Sequence, residues 1–285
     1  MGTLVSIRVV RPDDDAPAAI DRAFAWFYRI EEVCSRFNPS SELMQLAAHQ
    51  GVPVAASDLL FEAVRFAVLV AEETGGAFDP TVGRAMAARG FNRVHLSGAI
   101  AVLPPADPFA TYRDVLLDEE QRTITLLRPL TLDLGAVAKG MAVDTAAREL
   151  APCEDFAIDA GGDLYLGGRN PKGEPWRVGI RHPRATDELV ATLRVSNTAV
   201  CTSGDYERQH HILDPRTGDS ARSVASTTVI APCAMLADAL ATGAFVLGPE
   251  AGIRLLERQG VEGLIVTPER QQHRTRGFPH VAQDR

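Results

Sequence analysis

The residues with the clearest chemical potential are Asp238 and Thr242, which stand four positions apart in the apolar run 235–247. The length and composition of that run predict a buried helix, on which the two side chains share one face. A buried carboxylate is unfavourable unless a charge or strong hydrogen-bond donors meet it. Two hard oxygen ligands one turn apart suit Mg²⁺, which leaves coordination positions for substrate phosphates. The alternative is that both side chains bond only to nearby backbone.

A second candidate is the segment LDLGAVAKG at residues 132–140, which we expect to run from the end of a strand into a helix. Such a junction presents free backbone N–H groups and the positive end of a helix dipole, which favours an anion. Lys139 would add a point charge for a phosphate, and Asp133 could accept from a ribose hydroxyl or a base nitrogen. The spacing is not that of a P-loop. Alternatively, Gly135 only turns the chain and Lys139 is solvated.

Two glycine-containing segments need separate interpretations. Residues 76–83, GAFDPTVG, let a ligand approach the backbone closely, and Asp79 is held extended by the proline that follows it. A helix C-cap and a turn would explain the glycines but not the Asp-Pro-Thr order. Residues 160–168, AGGDLYLGG, lack the GxGxxG order and a following helix, which excludes a Rossmann site. A strand between tight turns explains them.

Ser203, His211 and some Asp could in principle form a catalytic triad. No GxSxG nucleophile elbow surrounds Ser203, so the sequence disfavours a serine hydrolase. His210 and His211 are adjacent, and on an extended segment they point to opposite sides, so at most one of them enters a given site.

These segments must be positioned by a mixed set of helices and strands. Periodicity predicts helices over 16–36, from an N-cap at Ser57 to residue 73, and over 138–150. Strands are predicted at 115–117, 123–127 and 227–231, and a strand-rich block at 156–201. The irregular alternation favours an α+β or mixed α/β fold over a TIM barrel or a Rossmann fold. We expect one domain over 1–267 and a loose polar tail over 268–285.

Composition limits the partners of the chain. With 285 residues, 46% hydrophobic and 23% charged, it resembles an ordinary soluble protein, and its net charge of −8 disfavours nucleic acid and anionic membranes. No run is long enough for a transmembrane helix, and the N-terminus lacks a signal peptide. Four widely spaced cysteines indicate free thiols. These features predict a cytoplasmic location; the alternative is an exported or lipid-anchored protein whose signal is missing from this sequence.

Taken together, the segments resemble the ApbE family of FAD:protein FMN transferases, and their order and spacing cover nearly the whole chain. The matching segments are MGT at 1–3, SRFNPSSEL at 35–43, GAFDPTVG at 76–83, DLGAVAKG at 133–140, AGGD at 160–163, TSGDY at 202–206, HILDP at 211–215 and ADALAT at 237–242.

The resemblance implies an ApbE-like fold and an enzyme that binds FAD and Mg²⁺, splits the pyrophosphate, passes FMN to a threonine hydroxyl of an acceptor protein and releases AMP. It also implies roles for individual residues. Asp238 and Thr242 would be side-chain metal ligands, with the Ala136 backbone carbonyl and a contact at Ala241, and Asp238 would be catalytic through the metal. The FAD site would be lined by Met1, Phe37, Ala77, Phe78, Asp79, Asp133, Lys139 and Leu213. His211 would activate the acceptor hydroxyl as a general base.

Two other functions remain open from the sequence. An FAD pyrophosphatase on the same fold would use water in place of the protein hydroxyl, and it shares the metal and dinucleotide sites. A non-catalytic FAD-binding protein would not need Asp238, Thr242 and His211 together, which argues against it. The acceptor protein and the oligomeric state cannot be deduced from this chain.

Overall fold

The computed structural model describes residues 2–94, 97–206 and 212–279. Its helices are α1 Ala16–Cys34, α2 Glu42–Ala47, α3 Asp58–Glu73, α4 Gly83–Ala88, α5 Gly135–Leu150, α6 Ala234–Leu247 and α7 Pro249–Arg258. Its strands are β1 Val5–Val9, β2 Val54–Ala55, β3 Val115–Asp118, β4 Thr123–Leu126, β5 Phe156–Ala160, β6 Asp163–Gly167, β7 Trp176–His182, β8 Ala185–Val195, β9 Thr198–Gly204, β10 Ser226–Ala231, β11 Glu262–Val266 and β12 Gln272–Arg274.

The main sheet has seven strands in the order β1-β5-β6-β9-β10-β11-β12. A three-stranded sheet, β2-β4-β3, and a two-stranded ribbon, β7-β8, accompany it. All pairings between these named strands are antiparallel. Both the Rossmann fold and the TIM barrel need parallel strands, so the predicted α+β class is confirmed and those two folds are excluded.

The two faces of the main sheet bury different apolar surfaces, because successive side chains on a strand alternate between faces. One face, with Ile158 and Cys201, packs in the large core that also holds the buried sides of α1, α3, α5 and α6. The other face, with Leu166 and Leu264, packs under Trp176 of β7 and Leu193 of β8. The helices that carry the candidate site therefore lie on one side of the sheet. Within the described ranges, no helix combines the length and apolar run needed to cross a bilayer.

Most predicted elements appear with boundaries within a few residues. Ser57 caps α3 by accepting from the Leu60 N–H, as expected. The helix predicted over 16–36 ends at Cys34, and the helix predicted from 138 begins at Gly135. This earlier start has a local cause, because Asp133 Oδ1 accepts from the Gly135 N–H at 2.9 Å. Glycine has a low helix propensity, which is why the sequence alone places the start later.

The polar tail that we expected to be loose is partly ordered. Within it, β12 pairs with β11, with Ile265 opposite His273, and Phe278 is buried against the second apolar cluster. Edge pairing of backbone groups needs no hydrophobic pattern, so the polar composition of the segment gave no sign of the strand. Residues 280–285 lie outside the described part of the chain.

Candidate active site

A lysine and two buried carboxylates form the centre of the candidate site. Lys139 on α5 contacts Asp163 at the start of β6, and its Nζ lies 3.0 Å from Oδ2 of Asp238 on α6. The side chains of Asp163 and Asp238 are 2% and 8% exposed, whereas that of Lys139 is 26% exposed. Burial raises the pKa of Asp238, and the nearby Lys139 ammonium opposes that rise. One cation is therefore held against two carboxylates at the edge of solvent.

The close approach of α5 and α6 brings these charges together. A Cβ on Gly140 would lie 2.5 Å from Cα of Met235, so only glycine permits this spacing. Asp144, one turn further along α5, accepts from the backbone N–H groups of Ala234 at 2.6 Å and Met235 at 2.9 Å. The carboxylate thus satisfies two of the unpaired donors at the start of α6. Burial is the main cause of the raised pKa of Asp144.

Hydroxyl groups lie beside Asp238 on the sheet side. Thr242, one turn after Asp238, has its Oγ1 3.2 Å from Oγ of Ser203 on β9. Thr227 on β10 stands directly opposite Ser203 and is fully buried. Ser203 therefore has a hydroxyl partner here. The triad partner considered for it, His211, lies outside the described residues.

The loop that follows α3 is hydrogen-bonded to the segment just before α5. Asp133 N–H donates to the Pro80 carbonyl at 2.6 Å. Asp79 is buried, and its oxygens accept from the N–H and hydroxyl of Thr81 at 2.8 and 2.7 Å and from the Tyr112 N–H at 3.1 Å. Burial is the main cause of its raised pKa. These bonds brace the turn, so Asp79 shapes the loop whether or not it also meets a ligand.

The same loop also touches the helix that carries Asp238. Ala77 and Phe78 are buried. A Cβ on Gly243, the residue after Thr242, would lie 3.6 Å from Cβ of Phe78. The predicted FAD-lining loop and the predicted metal-binding helix are therefore in contact.

Asp133 is engaged more fully than the sequence suggested. Its Oδ2 accepts from Nε of Arg36 at 2.7 Å, while its Oδ1 caps Gly135. The Arg36 guanidinium lies 4.2 Å from the centre of the Phe37 ring. Two residues predicted to line the FAD site, Phe37 and Asp133, are thus joined through one arginine.

The remaining predicted residues are placed as follows. Ala136 lies in the first turn of α5, and Ala241 lies in α6 directly before Thr242. Leu213 is buried and forms a β-bridge with Ser220, whose hydroxyl accepts from Arg89 at 2.9 Å. Met1 and His211 lie outside the described residues, so their predicted roles are not tested by position.

The donor set fits a hard divalent cation better than a soft one. Among residues 2–94, 97–206 and 212–279, no three His, Cys, Asp or Glu side chains cluster closely enough to hold a metal ion by themselves. Mg²⁺ does not require such a cage, because it binds through one or two carboxylates and substrate phosphates. The buried carboxylate of Asp238 and the Thr242 hydroxyl on one face of α6 are oxygen donors of the kind it prefers.

Sequence reasoning missed three members of this arrangement. Asp163 was explained as part of a turn and strand, whereas it contacts Lys139. Arg36 was part of a matching segment but had no assigned role. Asp144 was not considered. The available signal for Asp144 was a carboxylate that directly follows the apolar residues 141–143 of a predicted helix, since a buried carboxylate needs a partner.

The sequence of the chain is similar to those of known proteins over most of its length. A sequence profile of the ApbE family matches residues 1–265 of the chain. The FAD:protein FMN transferase of Treponema pallidum is 31% identical, over 98% of this chain and 85% of the relative. That of Escherichia coli K12 is 30% identical, over 84% of this chain and 74% of the relative.

Solved structures are similar over nearly the full length. The ApbE protein of Thermotoga maritima matches with a TM-score of 0.84 and 30% identity, covering 96% of both chains. The flavin transferase ApbE of Vibrio cholerae matches with a TM-score of 0.85 and 28% identity, covering 98% of this chain and 95% of that one. Both solved structures therefore share the fold of this chain over nearly its whole length.

Proposed function

The chain belongs to the ApbE family, and we propose that it acts as a Mg²⁺-dependent FAD:protein FMN transferase with a threonine of an acceptor protein as the target. The acceptor oxygen forms a bond to the phosphorus of the FMN half of FAD, and the bond from that phosphorus to the bridging oxygen breaks. The acceptor hydroxyl proton passes to a base, and AMP leaves with the bridging oxygen and its electron pair.

The observation that supports this reaction most strongly is the cluster of Lys139, Asp163 and Asp238 beside the start of α5. Phosphoryl transfer depends on positioning and charge neutralisation more than on covalent chemistry. Lys139 is partly exposed and lies about one turn from the N-terminal end of α5, where a pyrophosphate would meet both its ammonium and the positive helix dipole. Asp163 and Asp238 hold that ammonium at the edge of the site.

Mg²⁺ would be held by Asp238 and Thr242, with the Ala136 carbonyl and a contact at Ala241 completing the protein ligands that the family resemblance implies. When bound, it would neutralise charge on the pyrophosphate and on the departing AMP. The residues of this chain do the rest of the positioning: α6 presents the two side-chain donors on one face, and Ser203 hydrogen-bonds the Thr242 hydroxyl.

The remaining residues bind FAD and move the acceptor proton. We assign Phe37, Ala77, Phe78, Asp79, Asp133, Lys139 and Leu213 to the FAD site, with Met1 at its edge. His211 is our candidate for the general base, because a histidine near neutral pH is suited to taking a hydroxyl proton. The unpaired cysteines support a reducing compartment, so we propose that the reaction occurs in the cytoplasm. Export is the alternative, and cell fractionation would test it.

The decisive experiment is mass spectrometry of a threonine-bearing acceptor peptide after incubation with the protein, FAD and Mg²⁺. We expect an FMN adduct on the threonine and one AMP released for each adduct. A peptide with valine in place of that threonine is the control and should gain no adduct. Free FMN and AMP without adduct would identify an FAD pyrophosphatase, and unchanged FAD that binds tightly would identify a binding protein.

Calorimetry tests the substrate preference independently of turnover. Lys139 and the metal would both act on the pyrophosphate, which riboflavin lacks and FMN has only in part. We therefore expect FAD, with Mg²⁺ present, to bind more tightly than FMN and much more tightly than riboflavin. Equal affinities for FAD and riboflavin would contradict a pyrophosphate site.

A further inference from the structure

Arg36 has an environment that differs from that of an ordinary surface arginine. It is buried, with 5% of its side chain exposed. Its Nε donates to Asp133 at 2.7 Å, and its Nη2 donates to the backbone carbonyl of Phe91 at 2.6 Å. Its Nη1 is also buried, and no hydrogen-bond partner for it is found in the described part of the chain. The guanidinium is therefore fixed at two points, with one donor nitrogen still unpaired.

This fixed guanidinium lies against an aromatic ring. Its central carbon is 4.2 Å from the centre of the Phe37 ring, a distance at which a cation and an aromatic face attract each other. The Phe37 side chain is only half-buried. Because Arg36 covers one face of the ring, a ligand ring can stack only on the other face.

The two anchors of Arg36 belong to different segments of the chain. Asp133 sits at the start of α5, two residues before the helix, and Phe91 lies in the loop after α4. The arginine thus sets the orientation of the Phe37 ring relative to the segment that carries Lys139. An arginine has the geometry for this task, because its planar fork bonds in fixed directions while its face stacks on a ring.

We propose that Arg36 is a positioning residue for FAD: it fixes the Phe37 ring so that one defined face receives an aromatic ring of the dinucleotide. This inference rests on the proposed function, since it assumes that Phe37 contacts FAD. Arg36 acts through Phe37 and does not take part in bond breaking. Its removal should therefore weaken FAD binding while the chemical step is retained.

The test is a double-mutant cycle with the variants Arg36→Met, Phe37→Leu and both together, using calorimetry with FAD and Mg²⁺. Each single variant should raise the Kd for FAD by about tenfold, the size expected for loss of one stacking contact. The Kd of the double variant for FAD should rise by no more than about twentyfold, because both changes remove the same contact. In turnover, Arg36→Met should raise KM with kcat nearly unchanged.

A matched control exists elsewhere in the fold. Arg122 also lies 4.2 Å from a phenylalanine ring, that of Phe61, and it pairs with Glu62 and Asp58. Arg122→Met should reduce thermal stability but leave the Kd for FAD unchanged. The variant Arg36→Lys keeps a charge for Asp133 but lacks the planar group. It should fold well, yet its Kd for FAD should be higher than that of wild type.

The outcomes separate this inference from the proposed function. If wild-type protein does not bind FAD, the proposed function fails and the inference fails with it. If wild-type protein binds FAD and Arg36→Met binds it equally well, only the inference is overturned. A double variant about a hundredfold weaker would mean independent effects and would also overturn it.

Discussion

The Nζ of Lys139 lies 3.0 Å from Oδ2 of Asp238, and this pair joins the two helices, α5 and α6, that carry the candidate site. The same ammonium contacts Asp163 on the neighbouring strand. Two buried carboxylates therefore share one cation. A second cation in the site would relieve this imbalance, which is consistent with the proposed Mg²⁺ position beside Asp238 and Thr242.

The variant Lys139→Met tests that relationship. It leaves Asp163 and Asp238 without a cation, and breaking a buried ion pair in this way typically costs about 3–5 kcal/mol of unfolding free energy. Mg²⁺ should restore part of the loss, so the rise in Tm on adding Mg²⁺ should be larger for the variant than for wild type. Thermal unfolding with and without EDTA measures both effects.

A suitable control is Arg22→Met, because Arg22 pairs with Glu149 at the surface and its side chain is 57% exposed. That variant should change stability by less than about 1 kcal/mol and should show no added response to Mg²⁺. If Lys139→Met unfolds like wild type and Mg²⁺ changes nothing, the charge argument is wrong.

The variant Asp144→Asn has a predictable dependence on pH. Burial raises the pKa of Asp144 above its ordinary value of 3.8, so the folded chain holds that proton more tightly than the unfolded chain. The stability from this difference is fully present below pH 3.8 and is lost as the pH rises through the folded-state pKa. The stability of wild type relative to the variant should therefore decrease as the pH is raised from about 4 towards 7.

The variant Asp155→Asn should show the opposite dependence of stability on pH. A hydrogen bond from Arg11 is the main cause that lowers the pKa of Asp155. The stability contributed by its ionised form should be present above pH 3.8 and lost as the pH falls through the folded-state pKa. Urea titrations of wild type and both variants, from below pH 3.8 up to about pH 7, would give the stability difference between wild type and each variant. Plotted against pH, the two differences should have slopes of opposite sign. Parallel slopes would contradict the assignment.

The parts of this structure that the sequence predicted correctly are local ones. The Ser57 cap, the hairpin of β3 and β4 and the apolar run of α6 each depend on residues within a few positions of one another. The α+β class followed from the irregular order of such elements. The ApbE resemblance, confirmed by the profile match, rested on eight short segments in the correct order.

The parts that were missed depend on residues far apart in the chain. Arg36 meets Asp133 across 97 positions, and Asp144 meets Ala234 across 90. No periodicity encodes such pairs, because they arise only when the helices pack. The identity of Asp163 was visible, but its contact with Lys139 depends on how β6 is placed beside α5. Roles for the individual site residues stay predictions.

The hydroxyl pair of Ser203 and Thr242 leads to a further prediction, about turnover. Thr242→Val should weaken Mg²⁺-dependent turnover strongly, because it removes a proposed metal ligand. Ser203→Ala removes only the partner of that hydroxyl and should lower turnover by less than about tenfold, since one neutral hydrogen bond contributes about 1 kcal/mol. Initial rates over a series of Mg²⁺ concentrations would separate the two.

Thr202 supplies the control on the same strand. Its hydroxyl pairs with that of Thr228 at 2.9 Å, and neighbouring residues of a strand point to opposite faces. Thr202→Ala should leave turnover and the Mg²⁺ response unchanged. A loss of activity of several orders of magnitude in Ser203→Ala would instead indicate a nucleophilic serine, as in the triad that the sequence disfavours.

The last prediction concerns the cysteines, whose reactivity reports how well the core is packed. Cys34 ends α1, two residues before Arg36, and burial raises the pKa of its thiol to about 12. At pH 8 only about one molecule in ten thousand would carry the reactive thiolate there. Cys201 is completely buried, and burial also raises its pKa. Cys153 is half-buried and lies in a short turn after α5.

Iodoacetamide labelling of the native protein should therefore modify Cys153 first and leave Cys34 and Cys201 unmodified for much longer. Mass spectrometry of timed samples gives the rate at each site, and labelling in urea should remove the differences because all four thiols are then exposed. FAD should not accelerate labelling of Cys34, since FAD would bind against Phe37, beside the fixed Arg36. Native Cys34 that reacts as fast as Cys153 would mean that the end of α1 opens readily, and the fixed Arg36 arrangement next to it would then be untenable.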